Sequence, residues 1–254
     1  MKQVSKKQSY NYKIEIAYQG TCYLGWQQLG GEERSNTIQG ILNALLSDIC
    51  GEKVHLIGAS RTDANVHALG QVANFHTSHK CTEDMLPAWN RGLPADIQIL
   101  SLEQVSKDFH SRYAAVAKQY EYQIYCEGKP SPFKRNTCLE VNDSLNIDAM
   151  RKAAILLTGT HDFAGFASQM PDGRSTIKTI SSIGMEKQGQ LLTITYEGDG
   201  FLYHMIRILT GTLIEIGLHK REANSIREIF DSRDRRLAGP TIDGKGLCLK
   251  KVYY

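Results

Sequence analysis

A chain of 254 residues that is 41% hydrophobic and 22% charged has the composition of a folded globular protein, which excludes disorder over most of its length. Its formal net charge of +3 is compatible with a nucleic-acid partner but too small to require one. The six cysteines show neither a CxxC pair nor Cys/His ligand spacing, and the start is polar and basic, so the expectation is a cytoplasmic protein with reduced thiols and no metal.

Tyr12, Ile14, Ile16 and Tyr18 alternate with Lys13, Glu15 and Ala17, the two-residue period of a half-buried strand. A Gly-rich loop over 20–31 follows. Ile38, Ile41, Leu42, Leu45, Leu46 and Ile49 then recur at helical spacing, with Ser35 or Asn36 placed to cap the helix and Gly51 to end it. Strands are predicted at 54–59 and 70–77, a short helix at 83–91 and a strand at 97–102. This β-α-β-β-α-β order is ferredoxin-like. In the second half the pattern predicts a strand at 117–126, a connection containing Pro130 and Pro132, and a helix at 147–157 capped by Asn146. Strands at 176–186 and 191–196, helices at 203–216 and 223–231, and a strand at 247–253 complete it. His204, Arg207 and Glu215 interrupt the apolar run 201–218, which makes it a buried helix and not a membrane span. The expected fold is α+β: two ferredoxin-like halves, 1–106 and 107–254, with mixed or antiparallel sheets flanking a central RNA-binding cleft.

The densest chemical segment is Ala59-Ser60-Arg61-Thr62-Asp63-Ala64-Asn65-Val66-His67-Ala68, in a short connection between predicted strands. A turn alone would account for Asp63 and Asn65. The crowding of Arg, Thr, Asp, Asn and His argues for a catalytic loop on a rigid scaffold. Arg207 lies in a helix apolar on nearly every face, where stranding its charge would cost several kcal/mol or more, so it needs a carboxylate or phosphate. The partner is either a structural carboxylate or Asp63, which it would keep ionised. Tyr120 is either sheet core or a stacking surface for an extruded base. His67, His76, His110, His161 and His204 show no ligand spacing. The basic clusters Lys2, Lys6, Lys7 and Arg233, Arg235, Arg236 suit solvated surface or RNA contact.

Taken together, Gly25-Trp26-Gln27, Arg61-Thr62-Asp63-Ala64, Val66-His67-Ala68, Lys118 with Tyr120, His161-Asp162-Phe163, Phe201-Leu202-Tyr203 with Met205 and Arg207, and Gly246-Leu247 closely resemble the TruA family of tRNA pseudouridine synthases. The resemblance implies a two-domain α+β homodimer acting on uridines at positions 38, 39 and 40 of the tRNA anticodon arm, with no cofactor and no metal. It implies that Asp63 is the catalytic aspartate, that Arg61 displaces or holds the target nucleotide, and that Tyr120 packs on the base and takes part in proton transfer. It also implies that Arg207 pairs with Asp63 and that Leu247 walls the base pocket. Ser60 and Asn65 stand where the family usually has glycine. Asn tolerates a positive φ, whereas Ser60 would be strained if one were needed.

The chemistry agrees with these residue types. Isomerisation to pseudouridine breaks N1–C1′ and joins C5 to C1′ with no redox change, so no cofactor loop is needed. The target base must leave the stack, which Arg61 and Tyr120 suit. Asp63 can attack C1′, attack C6 or abstract a sugar proton, and the C5 proton can pass to Tyr120, Asp63 or water. A glycosidase would need paired carboxylates, and Asp63 has no acidic neighbour in sequence. A ferredoxin-like protein that binds RNA without changing it is the other rival.

Overall fold

β1 (Tyr10–Tyr18) follows its predicted alternation: Tyr12, Ile14, Ile16 and Tyr18 are buried and the residues between them half-buried. The computed structural model describes residues 9–28, 36–169, 173 and 175–254. These residues form two compact units, one extending through Ala115 and including Tyr254, the other running from Val116 to Tyr253.

In the first unit β1 pairs antiparallel with β3 (His67–Thr77) on one side and with β4 (Ile97–Val105) on the other. α1 (Ile38–Cys50) buries Ile38, Leu42 and Leu46 completely, and α2 (Leu86–Arg91) buries Trp89. Gly51 ends α1 in the left-handed region at φ 62°, as predicted. Its N-cap is Thr37, whose Oγ1 accepts from the Gly40 N–H at 3.2 Å. Asn36 does not cap the helix; its carbonyl accepts from the Leu24 N–H. Ser35 and residues 29–31 of the predicted loop lie outside the described residues.

The strand predicted at 54–59 is reduced to β2 (Ile57–Gly58), paired with β3. The reason lies in α1. Ser47 Oγ accepts from the Val54 N–H, Asn43 Oδ1 accepts from the Leu56 N–H, and Gln39 Nε2 donates to the Leu56 carbonyl. Helix side chains satisfy the backbone that a neighbouring strand would otherwise have to satisfy. Residues 107–115, assigned by sequence to the second domain, pack in the first unit. Asn11 Nδ2 donates to the carbonyls of Ser106 and Phe109, and Asn74 Oδ1 accepts from the Ser111 N–H.

In the second unit the strand order is β10-β5-β9-β8-β7, antiparallel throughout. The strands are β5 (Ala117–Cys126), β7 (Gly159–Asp162), β8 (Ile177–Gln188), β9 (Leu191–Gly198) and β10 (Leu247–Tyr253). β6 (Leu139–Val141) pairs parallel with β5. Neither β6 nor β7 is evident in the sequence pattern; each is too short to show a period. α3 (Ile147–Leu157) is capped by Asn146, whose Oδ1 accepts from the Ala149 N–H. It meets α4 (Met205–Gly217) where a Cβ at Gly217 would lie 2.8 Å from Met150 Sδ. α5 (Ser225–Ser232) follows. α4 is buried on nearly every face, as expected; Glu215, near its end, pairs with Arg221 at 2.9 Å. Among the described residues no helix is long and apolar enough to cross a membrane.

Candidate active site

In the first unit, the loop joining β2 to β3 carries Arg61 and Asp63 two residues apart. Buried groups hold it on three sides. Tyr18 Oη and Thr62 Oγ1 share a hydrogen bond of 2.7 Å, and the Trp26 N–H donates to the Thr62 carbonyl at 2.9 Å. The Gln71 side chain, wholly buried, accepts from the Ser60 N–H and donates to the Ser60 carbonyl. Gly25, at φ +99°, lies so close that a Cβ there would sit 2.6 Å from the Thr62 carbonyl oxygen and 2.9 Å from the Asp63 carbonyl carbon. The loop closes with the Val66 N–H donating to the Asp63 carbonyl, and Asn65 adopts φ 64°. Asn65 therefore does what the expected glycine would do, and Ser60 escapes strain because its φ is not positive. Thr62 points inward, Asp63 is half-buried and Arg61 is exposed. His67 is not a loop residue: it begins β3, and its Nδ1 accepts from the Gly20 N–H.

In the second unit, Tyr120 and Tyr122 lie on the same face of β5. Tyr120 is opposite Leu249 and Tyr196, and Tyr122 is opposite Leu247 and Ile194. α4 covers this face, as the 2.8 Å bond between Tyr196 Oη and Thr210 Oγ1 shows. Arg207 lies three residues before Thr210 and so on the same side of α4. Its Nε donates to the Ile242 carbonyl at 2.7 Å. The structure thus brings Tyr120, Leu247 and Arg207 to one side of the sheet. The Tyr120 ring meets the Phe201 ring edge-on, with centroids 5.4 Å apart. Tyr122 donates to the Asp243 carbonyl at 2.6 Å. Burial, then the Asp243 carboxylate, push the Tyr122 phenol up, and the Arg207 guanidinium opposes the rise. Tyr122 is therefore held as a neutral donor beside Arg207.

Sequence reasoning did not single out Phe201's contact with Tyr120, or Tyr122, Ile242 and Asp243. The alternation along β5 carries a signal for Tyr122. None could have disclosed Ile242, because its contribution is a backbone carbonyl. The Arg233, Arg235, Arg236 cluster is engaged within its own unit. Arg233 pairs with Asp162 at 3.1 Å, Arg236 pairs with Asp234 at 2.6 Å, and Arg235 donates to the Ala238 carbonyl and to Thr241 Oγ1. Lys2, Lys6 and Lys7 lie outside the described residues.

A family model described as tRNA pseudouridine synthase matches residues 15–114 and 153–254. The first matched segment ends beside the limit of the first unit at Ala115. Among curated proteins, the chain is 42% identical over 245 residues to tRNA pseudouridine synthase A of Acetivibrio thermocellus, covering 96% of this chain and 99% of that one. It matches tRNA pseudouridine synthase A of Thermoanaerobacter sp. at the same identity and coverage, and tRNA pseudouridine synthase A 2 of Bacillus cereus at 38% with the same coverage. A solved chain of a Cbf5-Nop10-Gar1 complex covers 94% of this chain and 48% of its own length at 11% identity and TM-score 0.37, too distant to carry an argument. The chain belongs to the tRNA pseudouridine synthase family.

Proposed function

We propose that the protein converts uridine to pseudouridine in tRNA, at positions 38, 39 and 40 of the anticodon stem-loop, with Asp63 as the essential carboxylate. The observation that carries this reading is the half-buried Asp63 in a loop clamped by Tyr18, Trp26 and Gln71, in a chain of this family. The N1–C1′ bond breaks, C5 bonds to C1′, one proton leaves C5 and one reaches N1. No electrons enter or leave, and the reading includes neither cofactor nor metal.

The exposed Arg61 displaces the target nucleotide from its stack and holds its backbone. Tyr120, its ring set by Phe201, packs against the extruded base and takes part in moving the C5 proton. Leu247 walls the pocket. Arg207, oriented by the Ile242 carbonyl, is assigned as the cation paired with Asp63. Attack at C1′, attack at C6 and abstraction of a sugar proton all use Asp63 as a carboxylate. Deuterium at C2′ sets the last route apart, because only there does the C2′–H bond break and give a primary isotope effect. A homodimer working in the cytoplasm belongs to the same reading.

The test is tritium release from unmodified tRNA labelled at uridine C5, with pseudouridine mapped by position. The wild type should release tritium from the anticodon arm. Asp63→Ala should lose at least about 10³-fold in rate while still binding tRNA. Full activity in Asp63→Ala, or release of free uracil, contradicts the proposal.

A further inference from the structure

The connection between β5 and β6 presents a phenyl ring to water. Phe133 is 94% exposed, the most exposed large apolar side chain among the described residues. The loop is nonetheless ordered by its own bonds. The Ser131 carbonyl accepts from the N–H groups of Lys134 and Arg135, and the Lys134 carbonyl accepts from the Thr137 N–H and the buried Cys138 thiol. The Glu127 N–H, at the other end, donates to the Val141 carbonyl. None of these bonds needs an aromatic side chain at 133, so folding does not explain it.

The same loop carries Lys129, Lys134 and Arg135, all exposed and with no carboxylate in ion-pairing distance among the described residues. The nearby Glu127 is paired with Lys187 at 3.9 Å. Arg233 and Arg236, by contrast, are paired with Asp162 and Asp234. The loop also leads back to the strand that carries the proposed pocket: Leu139, just after it, pairs with Ile124 of β5, two residues along from Tyr122.

We propose that the 129–136 loop is an accessory RNA-contact surface, on which Phe133 stacks against an exposed base of the bound tRNA while Lys129, Lys134 and Arg135 hold its phosphates. That the RNA is the tRNA substrate rests on the reading above. A flat exposed ring in a loop with three exposed cations fits a polyanion whose bases have π faces. A two-fold contact centred on this loop would set the same three cations against each other, which disfavours a second copy of this chain as its occupant.

The experiment measures binding of an unmodified tRNA transcript across a salt series, with pseudouridine formation read in the same tRNA. Phe133→Ala should raise Kd roughly 5- to 150-fold, Phe133→Leu should do the same, and Phe133→Trp should retain affinity. The double substitution Lys134→Ala with Arg135→Ala should flatten the slope of log K against log salt by roughly 1.4 to 1.8. Ile155→Ala, a change at another exposed apolar side chain, on α3, should leave Kd unmoved. A Phe133→Ala Kd within twofold of wild type, a Phe133→Leu protein that binds like wild type, or a change of oligomeric state with Kd intact overturns the proposal. If pseudouridine forms while Kd ignores Phe133, the loop proposal fails and the catalytic reading stands. If Kd depends on Phe133 but no pseudouridine forms, the loop proposal stands and the catalytic reading fails.

Discussion

Gly25→Ala tests whether the clamp on the Asp63 loop matters to the chemistry. The new Cβ would lie 2.6 Å from the Thr62 carbonyl oxygen, where ordinary contact begins at 3.4 Å, and 2.9 Å from the Asp63 carbonyl carbon. The atoms in the way are backbone, so the loop must move by about 0.8 Å, the difference between those two contact distances. Displacement of a reacting group by about 1 Å costs on the order of 10²-fold in rate. The φ of +99° lies outside the left-handed well and adds about 1–3 kcal/mol of strain for an L residue. Gly51→Ala separates the two effects: its φ is +62°, yet nothing lies within 4 Å of a Cβ there. It should lose about 1–2 kcal/mol of stability and no activity. The assay is single-turnover tritium release at saturating enzyme, run where circular dichroism shows both variants folded, with unfolding in urea measured alongside. Gly25→Ala should be slower by about 10²-fold with tRNA affinity little changed. A Gly25→Ala rate within threefold of Gly51→Ala would refute the reasoning.

Gln71→Ala removes the wholly buried side chain that serves both backbone groups of Ser60. At roughly 0.5–1.5 kcal/mol for each hydrogen bond lost, urea denaturation should show a loss of about 1–3 kcal/mol; a loss under about 0.5 kcal/mol contradicts that account. The Thr176 hydroxyl, then the Ala164 N–H and Arg233, hold the Asp162 carboxyl below its ordinary 3.8 against the opposing effect of burial. A depressed folded pKa means that this stabilisation is complete above 3.8 and disappears as the pH falls through the lower folded value. Asp162→Asn should therefore be less stable than wild type at neutral pH, by a gap that closes in acid. Urea midpoints taken down through the carboxylate range check this, and a constant gap argues against it.

The elements that could be read from sequence were those whose signal lies within a few residues. The alternation of β1, the helical spacing of α1 and α4, the Gly51 and Asn146 caps and the left-handed Asn65 all rest on local backbone and side-chain preferences. The same holds for the chemistry of the Arg61–Asp63 segment, where residue types alone mark a loop with more polar function than a turn requires. Tertiary structure decided what depends on partners distant in the chain. β2 is short because Gln39, Asn43 and Ser47 of α1 occupy the backbone a strand would have offered. β6 and β7 exist because β5 and β8 are there to pair with them. Arg207 is oriented by a carbonyl 35 residues away, and Phe133 is left in water because Ser131, Lys134 and Cys138 complete the turn without it. Backbone preference acts over one or two turns of chain, whereas every buried donor and acceptor must find its partner wherever the fold supplies one.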